Sequence, residues 1–234
     1  ESPNEKVIKK QDSEKIILVP KLGISNLTSE NLDLESNLSF GISLETLVMK
    51  NLAVGIGVGY KTVTMDDFSP QYSMGSSSYY GSYYSGFYGS GNNNAYGNAR
   101  TVEMSQWNLD IDSKLYVGKS ERLRPYFGLG MSFSRINLSY EDGASYSWSG
   151  YNTGDEVTSG SYLSGTAMIG TDVNITDTLG LKLELNYAKG FTGIMGESSK
   201  SYVYNPDQDK LMNLSEEVAD SHSFGINAGM LIKF

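Results

Sequence analysis

The chain has 234 residues and no cysteine, which excludes disulfides and thiolate metal sites. Its formal net charge of −9 argues against a general nucleic-acid binder, because such proteins present a basic surface to phosphates. Only 39% of the residues are hydrophobic, and no apolar run approaches the roughly 18 residues of a transmembrane helix.

The chain begins with a polar segment and a first strand. Residues 1–15 carry charges of both signs and are expected to form a solvated tail or a short helix. No signal peptide is visible at Glu1, so an exported chain would be the mature form. Strand one is predicted over about 16–25, and Pro20, which has no N–H, predicts a strand end or a bulge. A loop follows, and it carries Glu30, Asp33 and Glu35.

The clearest alternation of apolar and polar residues lies in the second and third predicted strands. Large apolar side chains share one face from Leu38 to Leu44, and again from Leu52 to Tyr60. The opposite face holds mostly glycine, serine and charged residues. Because successive side chains of a strand point to opposite sides, this hairpin has one apolar and one polar face.

Residues 64–101 interrupt the alternation with glycine, serine, tyrosine and asparagine, which predicts a long loop. Tyrosine offers a large rigid contact area, and the small polar residues add adaptable hydrogen bonds. The loop is therefore either a disordered surface segment or a contact surface for a protein, glycan or surface polymer. The candidate contact residues are Tyr72, Tyr79, Tyr80, Tyr83, Tyr84, Phe87, Tyr88 and Tyr96.

The fourth, sixth and seventh predicted strands repeat the alternation over about 107–117, 162–175 and 179–187. A second long loop at 141–160 and a short turn at 176–178 lie between predicted strands. The charged residues assigned to the inward face of the strands are Lys21, Glu45, Lys61, Asp110, Asp112, Lys114, Asp172, Lys182 and Glu184.

Strand five is predicted over about 127–140, after a compact basic turn at 118–124. Its large apolar residues change parity at Ile136, Leu138 and Tyr140. A strand that keeps one apolar face can change parity only through an extra residue, so we expect a β-bulge near Ser134 and Arg135.

The last strand, 223–234, follows a predicted long loop at 192–221 and ends its apolar face on a phenylalanine. This ending resembles the C-terminal signature of Gram-negative outer-membrane β-barrels, which the assembly machinery of that membrane reads. The apolar positions that carry the predicted assembly signal are Phe224, Ile226, Met230, Ile232 and Phe234.

Eight strands with alternating long and short connections predict an all-β fold, an eight-stranded antiparallel up-and-down transmembrane β-barrel. Short turns and both termini would be periplasmic, and long loops extracellular. The barrel would span 16–234, after the 1–15 tail. A soluble all-β barrel is the alternative, but a lipocalin-like one should keep its large apolar residues inside.

The chain resembles the small OmpA and OmpX kind of barrel over about 16–234. The resemblance implies a Gram-negative outer membrane, with lipid and lipopolysaccharide as surroundings. The assembly machinery, and another envelope or surface protein, are the expected protein partners. No peptidoglycan-binding domain follows Phe234, so a tether of the OmpA type is not expected.

The inward charges nearly balance, and eight strands leave a lumen just wide enough for side chains. Because unpaired buried ions are costly, we expect a lumen plugged by ion pairs. The predicted function is a structural or interaction role, as an anchor or surface-binding protein, through the extracellular loops. No catalytic activity and no cofactor are expected. A small channel and a lipid A-modifying enzyme are the alternatives.

Two local patterns resemble sites of known chemistry. Some eight-stranded relatives act on lipid A with a histidine, a serine and an acidic residue, and His222 lies between Ser221 and Ser223. Residues 205–216 resemble an EF-hand calcium loop, but the glycine of its sixth position is missing. We expect a rim histidine without chemistry and an acidic solvated loop, with no catalytic or metal site.

Overall fold

The computed structural model describes residues 16–29, 33–65, 101–118, 120, 122–140, 157–198 and 206–234. The tail at 1–15 and the candidate contact residues between Tyr72 and Tyr96 lie outside these ranges. The elements are β1 (Ile16–Thr28), β2 (Asp33–Met49), β3 (Leu52–Met65), β4 (Val102–Tyr116), β5 (Leu123–Tyr140), β6 (Val157–Asn174), β7 (Leu179–Gly190), β8 (Met195–Ser198), α1 (Pro206–Asp220) and β9 (His222–Lys233).

Eight antiparallel strands close into a barrel. Consecutive strands pair from β1 to β7, β7 pairs with β9, and β9 returns to β1. This arrangement confirms the predicted up-and-down barrel. The short strand β8 lies outside the closed circuit and pairs with β6 alone.

The two ends of the barrel differ in their connections. One end, here the terminal end, carries Ile16, Lys233 and the connections at 50–51, 117–122 and 175–178. The other, the loop end, carries the connections at 29–32, 66–101, 141–156 and 191–221. The connection at 29–32 is shorter than predicted, because β1 and β2 extend toward each other until Thr28 pairs with Asp33.

Large apolar side chains form a band around the outer face of the barrel. Leu183 is 54% exposed and Ile226 is 62% exposed, and the neighbouring outward apolar side chains are exposed to a similar extent. A continuous apolar band of this kind is stable against lipid hydrocarbon and not against water. Among the described residues, no helix is long and apolar enough to cross a membrane.

The alternation inverts at the loop end of the strands. Inward residues there are apolar and buried, while outward residues such as Thr64, Glu103 and Arg135 are polar. We call the inward set the inverted rim. Its members are Leu27, Val63, Met65, Val102, Met104, Ile136, Leu138 and Tyr162.

The inverted rim explains the change of parity in β5. The β4–β5 register runs without a shift from Val102 opposite Tyr140 to Tyr116 opposite Tyr126. The predicted bulge near Ser134 and Arg135 is therefore wrong. The strand is regular. At the loop end its apolar residues face inward, because a packed core lies inside the barrel there, whereas nearer the terminal end they face the lipid outside.

Helix α1 supplies the other half of that core. Its residues Leu211, Leu214, Val218 and Ala219 are at most 1% exposed and belong to the same buried cluster as the inverted rim. The predicted long loop at 192–221 is thus wrong, since it contains β8 and α1. Strand and helix approach closely at Gly190, where a Cβ would collide with the carbonyl oxygen of Ala219.

Strand β1 contains a proline and a bulge at different places. Pro20 pairs with Ile42 in an unshifted part of the β1–β2 ladder, so the prediction of a strand end or bulge at Pro20 is wrong. The register instead shifts between Ser25 and Leu27, next to the loop end. Irregular pairing is common at barrel rims.

Candidate functional site in the barrel lumen

The side chains that fill the lumen near the terminal end form one connected cluster, the ion-pair layer. Its members are Glu45, Asp112, Lys114, Asp172, Lys182 and Glu184. Glu45 is the centre: its Oε1 lies 2.6 Å from Lys114 Nζ, and its Oε2 lies 2.7 Å from Lys182 Nζ. All three side chains are at most 1% exposed, so one carboxylate is shared by two buried lysines.

Three flanking carboxylates provide the further negative charge around the two lysines. Lys114 Nζ lies 3.3 Å from Asp112 Oδ1 and 3.8 Å from Glu184 Oε2. Lys182 Nζ lies 3.6 Å from Asp172 Oδ1. Opposite charges alternate across the layer, which is the condition under which buried ions are tolerated.

Two tyrosines complete the ion-pair layer. They are not among the site residues predicted from the sequence. Tyr116 donates a hydrogen bond of 2.7 Å to Asp172, and Tyr126 donates one of 2.7 Å to Glu184. The ring of Tyr126 fits because β6 carries Gly170 opposite it, where a Cβ would lie 2.6 Å from the tyrosine oxygen. The only indication of these two tyrosines in the sequence is their position on the inward face of their strands.

The three remaining predicted lumen charges, Lys21, Lys61 and Asp110, do not join the ion-pair layer. They line a polar cavity of about 190 Å³, the chamber, between the ion-pair layer and the inverted rim. Asp110 accepts a hydrogen bond from Ser132 and interacts electrostatically with Lys21. The lumen is therefore layered, with ions below, a polar space in the middle and an apolar core above.

A hydrogen-bond cluster centred on Gln106 lies at the upper wall of the chamber. Its Nε2 is 2.7 Å from Asn108 Oδ1, 3.1 Å from Ser134 Oγ and 3.0 Å from the Tyr162 hydroxyl. Ser134 also donates to Asn108 over 2.9 Å. These residues are uncharged, so the charged inward positions of the sequence give no indication of them.

The structure separates the residues that could have formed a catalytic group. His222 contacts the rings of Tyr187 and Phe224, at 6.2 and 6.3 Å between centroids, on the outer side of β9. Ser221 is buried and donates its hydroxyl to the carbonyl of Val218. No hydrogen bond joins His222 to a serine or a carboxylate in the described part of the chain.

The segment that resembled a calcium loop forms α1 from Pro206 onward. A helix cannot wrap its side chains around one ion as an EF-hand loop does. Within the described ranges, no group of three or more side chains is placed to hold a metal ion.

The residues of the predicted assembly signal lie on the outer face of β9. Phe224, Ile226, Met230 and Phe234 are 44% to 76% exposed, and Ile232 is half-buried in the same row. The backbone N–H of Phe234 donates to Ile16 O over 3.0 Å, which fixes the end of the chain to β1. Their orientation places them toward lipid.

Comparison with curated protein sequences finds no significant match. Among solved structures, the chain is similar to Neisserial surface protein A (TM-score 0.55, 11% identity, covering 94% of this chain and 97% of that chain). It is also similar to a major outer membrane protein from Thermus thermophilus (TM-score 0.55, 12% identity, 94% and 99% covered). A third similar structure is that of OprG from Pseudomonas aeruginosa (TM-score 0.51, 9% identity, covering 94% of this chain and 95% of that chain). At these identities the likeness shows the fold alone.

The model of the outer membrane protein β-barrel domain matches residues 18–230, which include all of the barrel strands except a few terminal residues. The family match agrees with the closed eight-stranded barrel and with the apolar band on its outer face. A bacterial outer membrane is the location that the family implies. The chain belongs to the outer membrane protein β-barrel family.

Proposed function

We propose that this barrel does not conduct ions and that it serves as a structural or interaction platform in the outer membrane. The observation that carries the proposal is a lumen filled at two levels by different chemistry. The ion-pair layer occupies the terminal end, and α1 packs into the inverted rim at the loop end.

Opening such a lumen would require two independent changes. Separating Glu45 from a buried lysine would cost about 3–5 kcal/mol, because a charge would be left uncompensated. Withdrawing α1 would expose Leu211, Leu214 and Val218, each of which gains roughly 1.5–3 kcal/mol from full burial. The two levels share no residue, so neither change assists the other.

In this proposal the terminal end faces the periplasm and the loop end faces the outside. Three of the four connections at the loop end are longer than every turn at the terminal end, which favours this orientation. The aromatic residues from Tyr72 to Tyr96 then contact a protein, glycan or surface polymer. The 1–15 tail is available to an envelope protein, lipopolysaccharide surrounds the outer leaflet, and the assembly machinery reads β9.

A platform without catalysis is the function that the lumen and β9 favour. His222 packs between aromatic rings on the outer side of the wall, whereas Ser221 is buried. A lipid A-modifying enzyme would need a base within hydrogen-bond reach of its nucleophile.

Native affinity purification from outer membranes tests the proposed interaction role of the barrel. The intact chain is compared with a variant in which the tyrosines and the phenylalanine between residues 72 and 96 are changed to serine, so that the loop keeps its length. We expect a stoichiometric protein or glycan partner with the intact chain and its loss with the variant. Equal recovery from both, or a solitary barrel in both, would contradict the proposal.

A small channel is the second candidate, and the chamber is the observation that favours it. Because the chain has no cysteine, a single Ser43→Cys places one thiol in the chamber. Ser120→Cys, at an exposed turn, is the matched control. If the lumen is closed, a water-soluble thiol reagent labels the control at once and the chamber slowly, whereas equal rates would support the channel.

A further inference from the structure

The chamber is large enough to hold a solute. One bound water needs roughly 10–15 Å³, and the chamber has about 190 Å³. Its walls carry many serine, glycine and asparagine residues, besides the charged side chains of Lys21, Lys61, Asp110, Asp112 and Glu184. A few convergent polar groups are what fixes the orientation of a small molecule in its site.

Lys61 is a buried cation for which the described residues supply no counter-charge. Its side chain lines the chamber and is 8% exposed. Lys114 and Lys182 each lie within 4 Å of at least two carboxylates, but no described carboxylate forms an ion pair with Lys61. Because an unpaired buried charge is costly, a negative ion in the chamber would stabilise it.

The surroundings of Lys61 favour an oxygen-rich anion. The strand register places Ser39 and Gln106 directly beside Lys61, on β2 and β4. The Tyr162 hydroxyl lies 3.0 Å from Gln106 Nε2 and also lines the chamber. Gln106 Nε2 already donates within its own cluster, so the Ser39 and Tyr162 hydroxyls are the neighbouring donors. An ammonium group with nearby hydroxyl donors suits a ligand with several acceptor oxygens.

The negative charges of the chamber lie on its other side. Asp110 interacts with Lys21, Asp112 lies 3.3 Å from Lys114, and Glu184 interacts with both of these lysines. Among the charged side chains that line the chamber, Lys61 is the one for which the described residues supply no opposite charge. An anion is therefore expected beside Lys61 at the upper wall and not at the ion-pair layer.

We propose that the chamber binds a small oxyanion, either inorganic phosphate or a compact molecule with a phosphate or carboxylate group, and that Lys61 anchors it. The ligand reaches the site from the loop end, past α1, because the ion-pair layer closes the other side. The proposal does not depend on a platform function of the loops.

Inorganic phosphate and selenate are the probes. Isothermal titration calorimetry of the folded chain in detergent measures phosphate binding, and anomalous diffraction from selenate-soaked crystals locates the anion. We expect saturable binding and a selenium peak beside Lys61 Nζ. Because a hydrogen bond to a charged group is lost, Lys61→Met should weaken binding by about tenfold or more. Lys61→Arg, which keeps the charge, should retain it.

Lys189→Met is the matched control, since this lysine faces outward at the loop end of β7 and is exposed. Mobility of unheated samples on denaturing gels shows whether each variant is folded. Absence of saturable phosphate binding by the unmodified chain up to ~10 mM, in the millimolar range of weak sites, would overturn the proposal. So would a selenium peak elsewhere, a carboxylate of residues 66–100 against Lys61, or equal weakening by the control.

Discussion

Replacing Glu45 by glutamine tests the ion-pair layer at its centre. The change keeps the shape of the side chain and removes the charge that both Lys114 and Lys182 contact, at 2.6 and 2.7 Å. After the change, Lys114 still has Asp112 at 3.3 Å and Lys182 still has Asp172 at 3.6 Å. The two lysines are then less neutralised in a buried space.

The size of the effect follows from these distances. Removing one partner of a buried ion pair costs about 3–5 kcal/mol. Because each lysine keeps a more distant carboxylate, we expect the lower end, about 3 kcal/mol of unfolding free energy. Because Glu45 and Lys182 contact each other, the loss in the double variant with Lys182→Met should be smaller than the sum of the two single losses by about 1 kcal/mol or more, within the coupling range of contacting residues.

Urea unfolding in phospholipid vesicles, followed by the fluorescence of the two tryptophans, measures these values. Glu103→Gln is the control, because Glu103 faces outward and is exposed at the rim; its effect should stay within about 0.5 kcal/mol. A loss below about 1 kcal/mol for Glu45→Gln, or additive losses in the double variant, would refute the reasoning that the lysines depend on this carboxylate.

Three further changes test other parts of the account. Leu214→Ala should cost about 2–4 kcal/mol in the core under α1 and increase proteolysis there, whereas the exposed Asn213→Ala should not. Tyr126→Phe removes a hydrogen bond to a carboxylate and should cost about 1.5–3 kcal/mol in urea unfolding, whereas the outward Tyr60→Phe should be near neutral. Phe234→Ser should lower the amount of assembled barrel in cells and leave refolding into vesicles unchanged, and equal loss in both would contradict a role in assembly.

The strands could be predicted because lipid imposes a simple rule on them. Where one face meets hydrocarbon and the other a narrow polar lumen, residues alternate with period two, as in β3 from Leu52 to Tyr60. The strand count and the faces follow from that alternation. The alternation does not show where each strand leaves the membrane, because the polar outward residues at that point resemble those of a loop.

The inverted rim is not predictable from the alternation. Apolar residues in a barrel strand normally face lipid, so the sequence predicts the lipid side for Ile136 and Leu138. Their partners are on α1, far along the chain, and only tertiary packing reveals them. The spacing of Leu211, Leu214 and Val218 was a local signal for a helix, and Pro206 suits the first helical turn, but the acidic composition suggested a solvated loop.

The grouping of the lumen charges was also beyond the sequence. Parity shows that Lys61 and Lys114 point inward, but the stagger between strands decides which charges share a level. The structure brings Lys114 to Glu45 and leaves Lys61 in the chamber. The uncharged partners, such as Tyr126 and Gln106, gave no signal beyond their inward position.

Conductance across a planar lipid bilayer tests the central claim, a lumen closed at two independent levels. The purified barrel is compared with a variant in which residues 206–220 are replaced by a glycine-serine linker, which removes α1 and leaves the ion-pair layer. The account predicts no steady current steps from either protein, because the ion-pair layer alone blocks the lumen. Steady steps from either protein would contradict it.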